Sequence, residues 1–244
     1  MGALFTVAKR EFAGYFATPV AAIFLIIFLG LVAAFTFFIG YFLERGNADL
    51  QPFFNFHPWL YLFFAPALAM RLWAEERRQG TIELFLTLPI PLWSAVVGKF
   101  LAAWLFLGLA LALTFPMWVT VNILGEPDNG VILASYLASF LMAGGYLAIG
   151  SCLSAATKNQ VIAFVLTVTV AFLFTAGGAG FLTDLISEFV SKSVLDTIQG
   201  LSVLPHFNQI IKGVISLKDV AYFVALIVTW LLATMVVVDY KKAG

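Results

Sequence analysis

The sequence predicts an all-α membrane protein with six transmembrane helices and cytoplasmic N- and C-termini. Three observations predict this architecture: the composition, the charge-free stretches, and the uneven distribution of basic residues between them. Of the 244 residues, 62% are hydrophobic and only 11% are charged, and the mean hydropathy is +1.02. Soluble domains carry roughly 25% charged residues. The composition therefore disfavours a soluble globular enzyme and excludes a disordered chain.

Charge-free stretches define the predicted spans, because a helix needs about 20 apolar residues to cross the hydrocarbon core. The first stretch, residues 12–43, is too long for one span, and Pro19 divides it. We therefore expect an interfacial helix over Leu4–Thr18, within an N-terminal segment 1–19, ahead of the first span. The six predicted spans are Val20–Leu43, Phe53–Met70, Phe100–Ile123, Val131–Ala156, Gln160–Leu182 and Val220–Val238.

Basic residues predict the orientation, since cytoplasmic loops carry an excess of Lys and Arg. Nine of the 13 basic residues fall on the side of the two termini: Lys9, Arg10, Arg71, Arg77, Arg78, Lys99, Lys158, Lys241 and Lys242. The opposite side holds Arg45, Lys192, Lys212 and Lys218. Both termini are therefore predicted to be cytoplasmic. The formal net charge of zero gives no electrostatic sign of nucleic-acid binding.

The predicted spans contain no Asp, Glu, Lys or Arg. Transporters driven by protons or ions generally place such residues at membrane depth. A secondary transporter is therefore disfavoured, although a sodium site built from neutral oxygens stays open. The chain also lacks a phosphate-binding loop, because Gly98-Lys99 is followed by Phe100 rather than by Ser or Thr. If the chain moves a substrate, the energy is expected to come from another subunit.

The few histidine, cysteine and acidic side chains near the predicted span ends are interpreted as structural residues rather than as functional ones. His57, His206 and the single Cys152 lack the spacing of a metal site, so no metal is predicted. We assign His57, which lies in a Phe-His-Pro-Trp sequence, to an aromatic belt at the membrane interface. His206 is interpreted as structural and Cys152 as a packing residue. Ser216 and Asp219 have capping-box spacing, so Asp219 is interpreted as a helix cap.

The most informative stretch is residues 71–91, between the second and third predicted spans. Positions 75–78 carry four successive charges of both signs, Gly80 interrupts the helical pattern, and prolines end the segment. This pattern predicts a short charged helix, a break, and a short amphipathic helix against the membrane. Charges of both signs favour recognition of a soluble partner. The alternative is simple anchoring of the helix ends, for which Lys and Arg alone would serve.

Three segments carry motifs that together bracket the whole chain. The first is AKREFAGYFATPVAAIFL from Ala8, the second is AEERRQGTIELFLTLPI from Ala74, and the third is FNQIIKGVISLKDVAYF from Phe207. In this order they resemble the permeases of the ABC-2-type ABC transporter family. Within that family the chain is most similar to the short permeases of gliding-motility-type and copper-maturation-type export systems.

The resemblance implies that residues 1–244 form one ABC-2-type transmembrane domain with six spans, working as a dimer of membrane subunits. It implies a separate cytoplasmic ATPase that binds ATP and magnesium, so this chain would hold no cofactor and no catalytic residue. Segment 71–91 would be the cytoplasmic coupling segment in the ATPase groove. The implied coupling residues are Glu75, Glu76, Arg77, Arg78, Gly80, Thr81 and Glu83, and the secondary contacts are Lys9, Arg10 and Glu11. No fused ATPase or auxiliary domain appears in the sequence, so both are expected as separate chains.

Residues 183–218, between the fifth and sixth predicted spans, form the longest stretch outside the membrane. Apolar residues recur there at helical spacing with polar residues between them, which predicts one or two external amphipathic helices. Phe189, His206 and Phe207 are candidates for an external gate, and the alternative is a lid over the span ends. Small residues in the fourth span and glycines within 177–180 indicate close helix packing. Flexibility near a gate is the alternative for these glycines.

The leading functional hypothesis is a permease subunit of an ATP-driven exporter in the bacterial cytoplasmic (inner) membrane. It would couple ATP hydrolysis by a partner to export or to mechanical work, as a homodimer or heterodimer, with an auxiliary periplasmic or membrane subunit as a further partner. Two alternatives are a standalone channel or carrier, and a membrane anchor that recruits a soluble complex. The charge-free spans suit an apolar, lipid-like or peptide-like cargo, and the sequence leaves the substrate open.

Overall fold

A computed structural model describes residues 2–82, 90–180 and 191–241, and within these ranges the chain is helical and contains no β-strand. The predicted coupling residue Glu83 and the gate candidate Phe189 lie outside the described residues. The helices are α1 Gly2–Phe16, α2 Val20–Ala34, α3 Gln51–Asn55, α4 His57–Ala69, α5 Ala74–Gln79, α6 Leu92–Ala112, α7 Phe115–Leu124, α8 Asn129–Ala156, α9 Gln160–Ala176, α10 Lys192–Leu201, α11 Val203–Ile210 and α12 Leu217–Tyr240.

The N-terminal helix α1 and the first apolar helix α2 are divided at Pro19, as the sequence predicts. Pro19 immediately precedes α2, a position where its missing N–H costs nothing. Helix α2 then continues as a π-helical turn, Phe35–Ile39. A Cβ atom on Gly40 would lie 2.7 Å from the carbonyl oxygen of Thr36, so the tight end of this turn requires glycine. The helix therefore ends before the predicted boundary at Leu43.

The second predicted span is not one continuous helix. It divides at Phe56 into α3 and α4, and Pro58 occupies the first turn of α4. Proline favours the start of a helix because its φ angle is preset and its missing N–H would be unpaired there anyway. The prediction of a continuous helix over Phe53–Met70 is therefore wrong at this junction.

The third predicted span begins earlier than expected. Helix α6 starts at Leu92, directly after Pro91, and it includes Lys99. The prediction that the charge-free span begins at Phe100 is therefore wrong for the helix, which carries a buried lysine in its first half. A second break at Thr114 separates α6 from α7.

Helix α8 is the centre of the fold, and it packs against α4, α6, α9 and α12. Its small residues allow this close packing, in agreement with the sequence prediction. A Cβ atom on Gly150 would lie 2.3 Å from Cβ of Ala69 in α4, and one on Gly144 would lie 2.8 Å from the indole of Trp104 in α6. The neighbouring helices can therefore pack this closely against α8 only at positions where α8 carries glycine or another small residue.

Replacing Gly150 by alanine is expected to lower the free energy of unfolding by about 1–3 kcal/mol, because the new methyl group overpacks the contact with Ala69. Chemical unfolding in mixed detergent micelles would measure the change. The matched control is Gly30→Ala in α2, where a Cβ atom meets nothing within 4 Å. That control should be neutral or slightly stabilising, because alanine favours the helix over glycine. An equal loss in both variants would contradict the close-contact explanation.

Four helical segments are long and apolar enough to cross a membrane: Val20–Ile39, Leu92–Leu124, Asn129–Ala156 and Leu217–Tyr240. Helix α9 is apolar but shorter, with 17 residues. The chain is therefore a multi-pass membrane protein. The prediction of six spans needs α4 and α9 to cross as well.

The sequence-based assignment of His57 to an aromatic interface belt is wrong. Its side chain is fully buried, and its Nδ1 lies 2.8 Å from the hydroxyl oxygen of Ser139 in α8. The rings of Phe53 and Phe54 pack against it at centroid distances of 4.6 and 5.2 Å. His57 therefore joins α3 and α4 to α8 inside the protein, where neither water nor lipid reaches it.

Candidate functional site

The first turn of α5, which carries the predicted coupling residues, is held by a side chain from α8. The hydroxyl of Ser154 accepts hydrogen bonds from the backbone N–H groups of Trp73 and Ala74, both at 3.1 Å, and donates to the carbonyl of Met70 at 3.0 Å. Trp73 precedes α5 but provides no side-chain cap. Ser154 therefore acts as an N-cap supplied from another helix, satisfying N–H groups that a helix start leaves unpaired.

The C-terminal end of α8 is joined to two charged side chains. Arg77 of α5 donates to the carbonyl oxygen of Ala155 at 2.6 Å, and the ammonium group of Lys241 donates to the carbonyl of Ala156. The last carbonyls of a helix lack intrahelical partners, and the negative end of the helix dipole favours cations. The end of α8 is therefore bonded to α5 and to the end of α12.

A buried lysine connects α5 with the N-terminal helix. The Lys99 ammonium nitrogen of α6 lies 2.7 Å from Oε1 of Glu76 and 3.4 Å from Oε2 of Glu11, and its side chain is only 3% exposed. It also lies 5.4 Å from the ring centre of Trp73, close enough for a cation–π attraction. We call Lys99, Glu76 and Glu11 the lysine junction; it joins α1, α5 and α6.

Two carboxyl groups at this end of the fold, Glu11 and Glu75, have a lowered pKa. Burial tends to raise the pKa of Glu11, but the Lys99 charge and the Arg10 hydrogen bond and charge outweigh it, so the pKa lies below its usual value. The Arg78 hydrogen bond likewise lowers the pKa of Glu75. Both shifts favour the ionised carboxylate of Glu11 and of Glu75 at neutral pH.

The predicted coupling residues do not share one face. Glu76 and Arg77 are turned inward to Lys99 and to the end of α8, respectively. Glu75 is partly buried and pairs with Arg78, whose nitrogen lies 2.7 Å from its carboxylate. The outward-facing members are Arg78, Gly80 and Thr81 in the coupling segment, and Lys9 and Arg10 in α1.

Gly80 ends α5 in the left-handed conformation, with φ of +71°. Glycine adopts this conformation without the steric penalty that other residues meet. The short charged helix and the break at Gly80 therefore agree with the sequence prediction. The predicted amphipathic helix that follows lies largely outside the described residues.

A cleft of about 300 Å³ opens beside the lysine junction, between α1, α2, α4, α5 and α6. Apolar side chains such as Phe24 and Phe106 line one part of it. Charged side chains line the other, among them Arg71 and Glu75. We refer to it as the interfacial cleft, because it lies where α1 meets the first apolar helix.

At the opposite end of the fold, His206 of α11 forms a buried pair with Asp219 of α12. Nδ1 lies 2.6 Å from Oδ1 of Asp219, and Nε2 lies 3.1 Å from the carbonyl oxygen of Gly200. Both ring nitrogens thus lie within hydrogen-bond distance of an oxygen atom, and the pair joins α11 to α12. The interpretation of Asp219 as a cap is wrong, because Ser216 caps α12 and Asp219 binds His206.

The gate candidates in this region are packed inside the protein. Phe207 is fully buried, and His206 is nearly so. The glycines at the end of α9 also contact these helices, since a Cβ atom on Gly178 would lie 2.4 Å from Pro205 and 2.6 Å from Ser202. The packing interpretation of the glycines is therefore supported at Gly178.

Sequence reasoning missed the two residues that organise this site. The sequence pattern indicates Lys99 only as a basic residue on the cytoplasmic side, beside Gly98 in a segment that does not match a phosphate-binding loop. Nothing in the sequence pattern distinguishes Ser154 from the other small residues of α8. The sequence signal that could have identified Lys99 is a lysine in the first half of an otherwise apolar helix. A buried charge of this kind requires a partner of opposite charge.

Comparison with known proteins gave one family. A family model described as ABC-2 family transporter protein matches residues 6–242, which is nearly the whole chain. A search of curated proteins found no match.

Proposed function

The chain belongs to the ABC-2 family of transporter proteins, and on this premise we propose that it is the permease subunit of an ATP-driven exporter. A separate cytoplasmic ABC ATPase binds and hydrolyses ATP with magnesium, and this chain receives the resulting movement through α5. It is a non-catalytic membrane subunit. The observation that carries the proposal is the rigid attachment of α5 to the central helix by Ser154 and Arg77.

The proposal includes a topology. Six segments cross the bilayer, with α4 and α9 as the second and fifth spans, and both termini face the cytoplasm. The exposed cations near α5, namely Arg71, Arg78, Lys158 and Lys241, support this orientation. A bacterial cytoplasmic membrane is the proposed location, and a second permease chain completes a dimer.

The proposed ATPase contact is the outward-facing tip of the coupling segment. Arg78 is 63% exposed at its side chain, and Gly80 and Thr81 are exposed beside it. Lys9 and Arg10 form the secondary contact on α1. The inward-facing Glu76 and Arg77 then act as positioning residues, which carry a displacement of the tip to α1 and to α8.

The test uses charge reversal at the tip. We expect Arg78→Glu combined with Thr81→Glu to weaken binding of the co-purified ATPase about tenfold or more, since altered charges at an interface oppose association. Unfolding stability should change by less than about 1 kcal/mol, because the Arg78–Glu75 pair is exposed. The readouts are co-purification from native membranes, affinity of the reassembled complex, and substrate-independent ATP hydrolysis in liposomes.

Lys158→Glu is the matched control, because it makes a charge reversal at an exposed residue outside α5. Undiminished binding in the Arg78 and Thr81 variant would contradict the proposal. Exchanging Glu76 and Arg77 is a poor test, because it would disrupt the buried contacts and the fold together. Flux through liposomes that contain only this chain would instead favour a standalone channel.

A further inference from the structure

We propose that the interfacial cleft binds a phospholipid with a phosphoethanolamine headgroup. The phosphate lies against Arg71 and Tyr15, the ammonium group faces the carboxylates of α5, and the start of an acyl chain occupies the apolar part. This inference concerns the chain alone and does not rest on the proposed ATPase partner.

The position of the cleft suits a headgroup. Its walls come from the end of α1 and the start of α2, which flank Pro19, and from the end of α4. Helix α2 is the most apolar of the candidate spans, and much of its surface is exposed. The cleft therefore lies at the boundary between a membrane-crossing helix and the charged end of the fold.

The inner part of the cleft suits an acyl chain. Phe24 and Phe106 approach at a ring-centroid distance of 5.4 Å, and Val20, Ala21 and Leu68 complete an apolar wall. A volume of about 300 Å³ holds a headgroup and the first methylene groups of one chain. The rest of the lipid would continue along the exposed face of α2.

The outer part offers hydrogen-bond donors that suit a phosphate. The guanidinium of Arg71 is exposed and, within the described part of the chain, makes no hydrogen bond or ion pair. The ring of Tyr15 stacks on Phe106 at 5.0 Å, and its hydroxyl has no hydrogen-bond partner among the described residues. Burial and the nearby Glu11 raise the pKa of Tyr15, which keeps the hydroxyl a donor. Arginine binds phosphate by paired charge-assisted hydrogen bonds.

The carboxylates that share the cleft favour a headgroup that also carries N–H donors. Glu75 and Glu76 line it, and one carboxylate oxygen of Glu76 has no partner in the described ranges. A primary ammonium group supplies three donors. An anionic lipid without such a group would bring its negative charge to these acids uncompensated, so the zwitterionic lipid is favoured.

The experiment is native mass spectrometry of the delipidated full chain, titrated with phosphatidylethanolamine, phosphatidylcholine and phosphatidylglycerol. We expect phosphatidylethanolamine to bind about tenfold more tightly than phosphatidylglycerol. Arg71→Gln should reduce that affinity about tenfold, as loss of one charge-assisted contact predicts. Tyr15→Phe should reduce the affinity for phosphatidylethanolamine less than Arg71→Gln does. Because it keeps the stacked ring, it is the alternative test if Arg71→Gln does not fold. Arg45→Gln, the same substitution at an exposed residue outside the cleft, is the control and should retain wild-type binding.

The outcomes separate the explanations. Selective loss of phosphatidylethanolamine binding in both cleft variants supports the site. Equal binding of phosphatidylglycerol, or equal binding of phosphatidylcholine, which lacks N–H donors, overturns the assignment of the headgroup and with it the proposal. Unchanged binding in Arg71→Gln and Tyr15→Phe relative to Arg45→Gln also overturns it. None of these outcomes depends on whether an ATPase binds the coupling segment.

Discussion

Replacing both Glu11 and Glu76 by glutamine is expected to lower the free energy of unfolding by about 3–5 kcal/mol, since it leaves a buried cation uncompensated. The Lys99 side chain is 3% exposed, so water cannot replace the lost charges. The two acids are 24% and 20% exposed, and each single substitution leaves Lys99 one ionised partner. The single variants should therefore cost clearly less than half of the double variant.

A triple variant tests the explanation by charge. Adding Lys99→Met to the double substitution removes the unpaired cation and should restore most of the lost stability, because an apolar side chain of similar length fits a buried site. The measurement is chemical unfolding in mixed micelles. Glu75→Gln is the control, since the cation of its pair, Arg78, is 63% exposed and stays hydrated, so the pair should be worth about 1 kcal/mol or less. Failure of Lys99→Met to restore stability would show that the junction does not act through charge.

Replacing Ser154 by alanine is expected to cost about 2–4 kcal/mol, because it leaves two buried backbone N–H groups, at Trp73 and Ala74, without an acceptor. The effect should concentrate at α5. Hydrogen exchange of the amides in residues 73–80 should accelerate strongly, while exchange in the middle of α8 changes little. Without the Ser154 hydroxyl, the start of α5 would therefore be less firmly attached to the membrane helices.

Ser135→Ala provides the matched comparison in the same helix. Its hydroxyl donates at 2.7 Å to the carbonyl of Val131 in α8 itself, a bond that helices lose at little cost. We expect a change below about 1 kcal/mol and no effect on exchange at α5. Equal effects of the two substitutions would mean that Ser154 does not serve as a cap for α5.

Sequence patterns predict helix ends well where a residue at the end itself, such as a capping residue or a proline, sets the boundary. Helix α8 begins two residues before its predicted start, and the carboxylate of Asp128 caps it by accepting hydrogen bonds from the N–H groups of Gly130 and Val131. Pro19 divides α1 from α2 as expected. The errors at Phe56 and Leu92 have one cause: apolar composition shows that a segment suits lipid, but it does not show where its helix begins or breaks.

The sequence predicts which segment forms the candidate site, but it does not predict which way the side chains of that segment face. Positions 75–78 were recognisable by their charges, and each residue turns about 100° around α5 relative to the one before. Which side chains face inward depends on Lys99 in α6 and on Ala155 at the end of α8, and these lie far from α5 in the sequence. No local pattern contains that information.

The sequence by itself determined that this protein is a helical, multi-pass membrane protein, because the free energy of placing a segment in lipid is summed over its own residues. The tertiary structure decided which charges are buried. Glu76 and Arg77 became internal contacts and Arg78 an exposed one, because burial of a charge depends on a partner that only folding brings within reach.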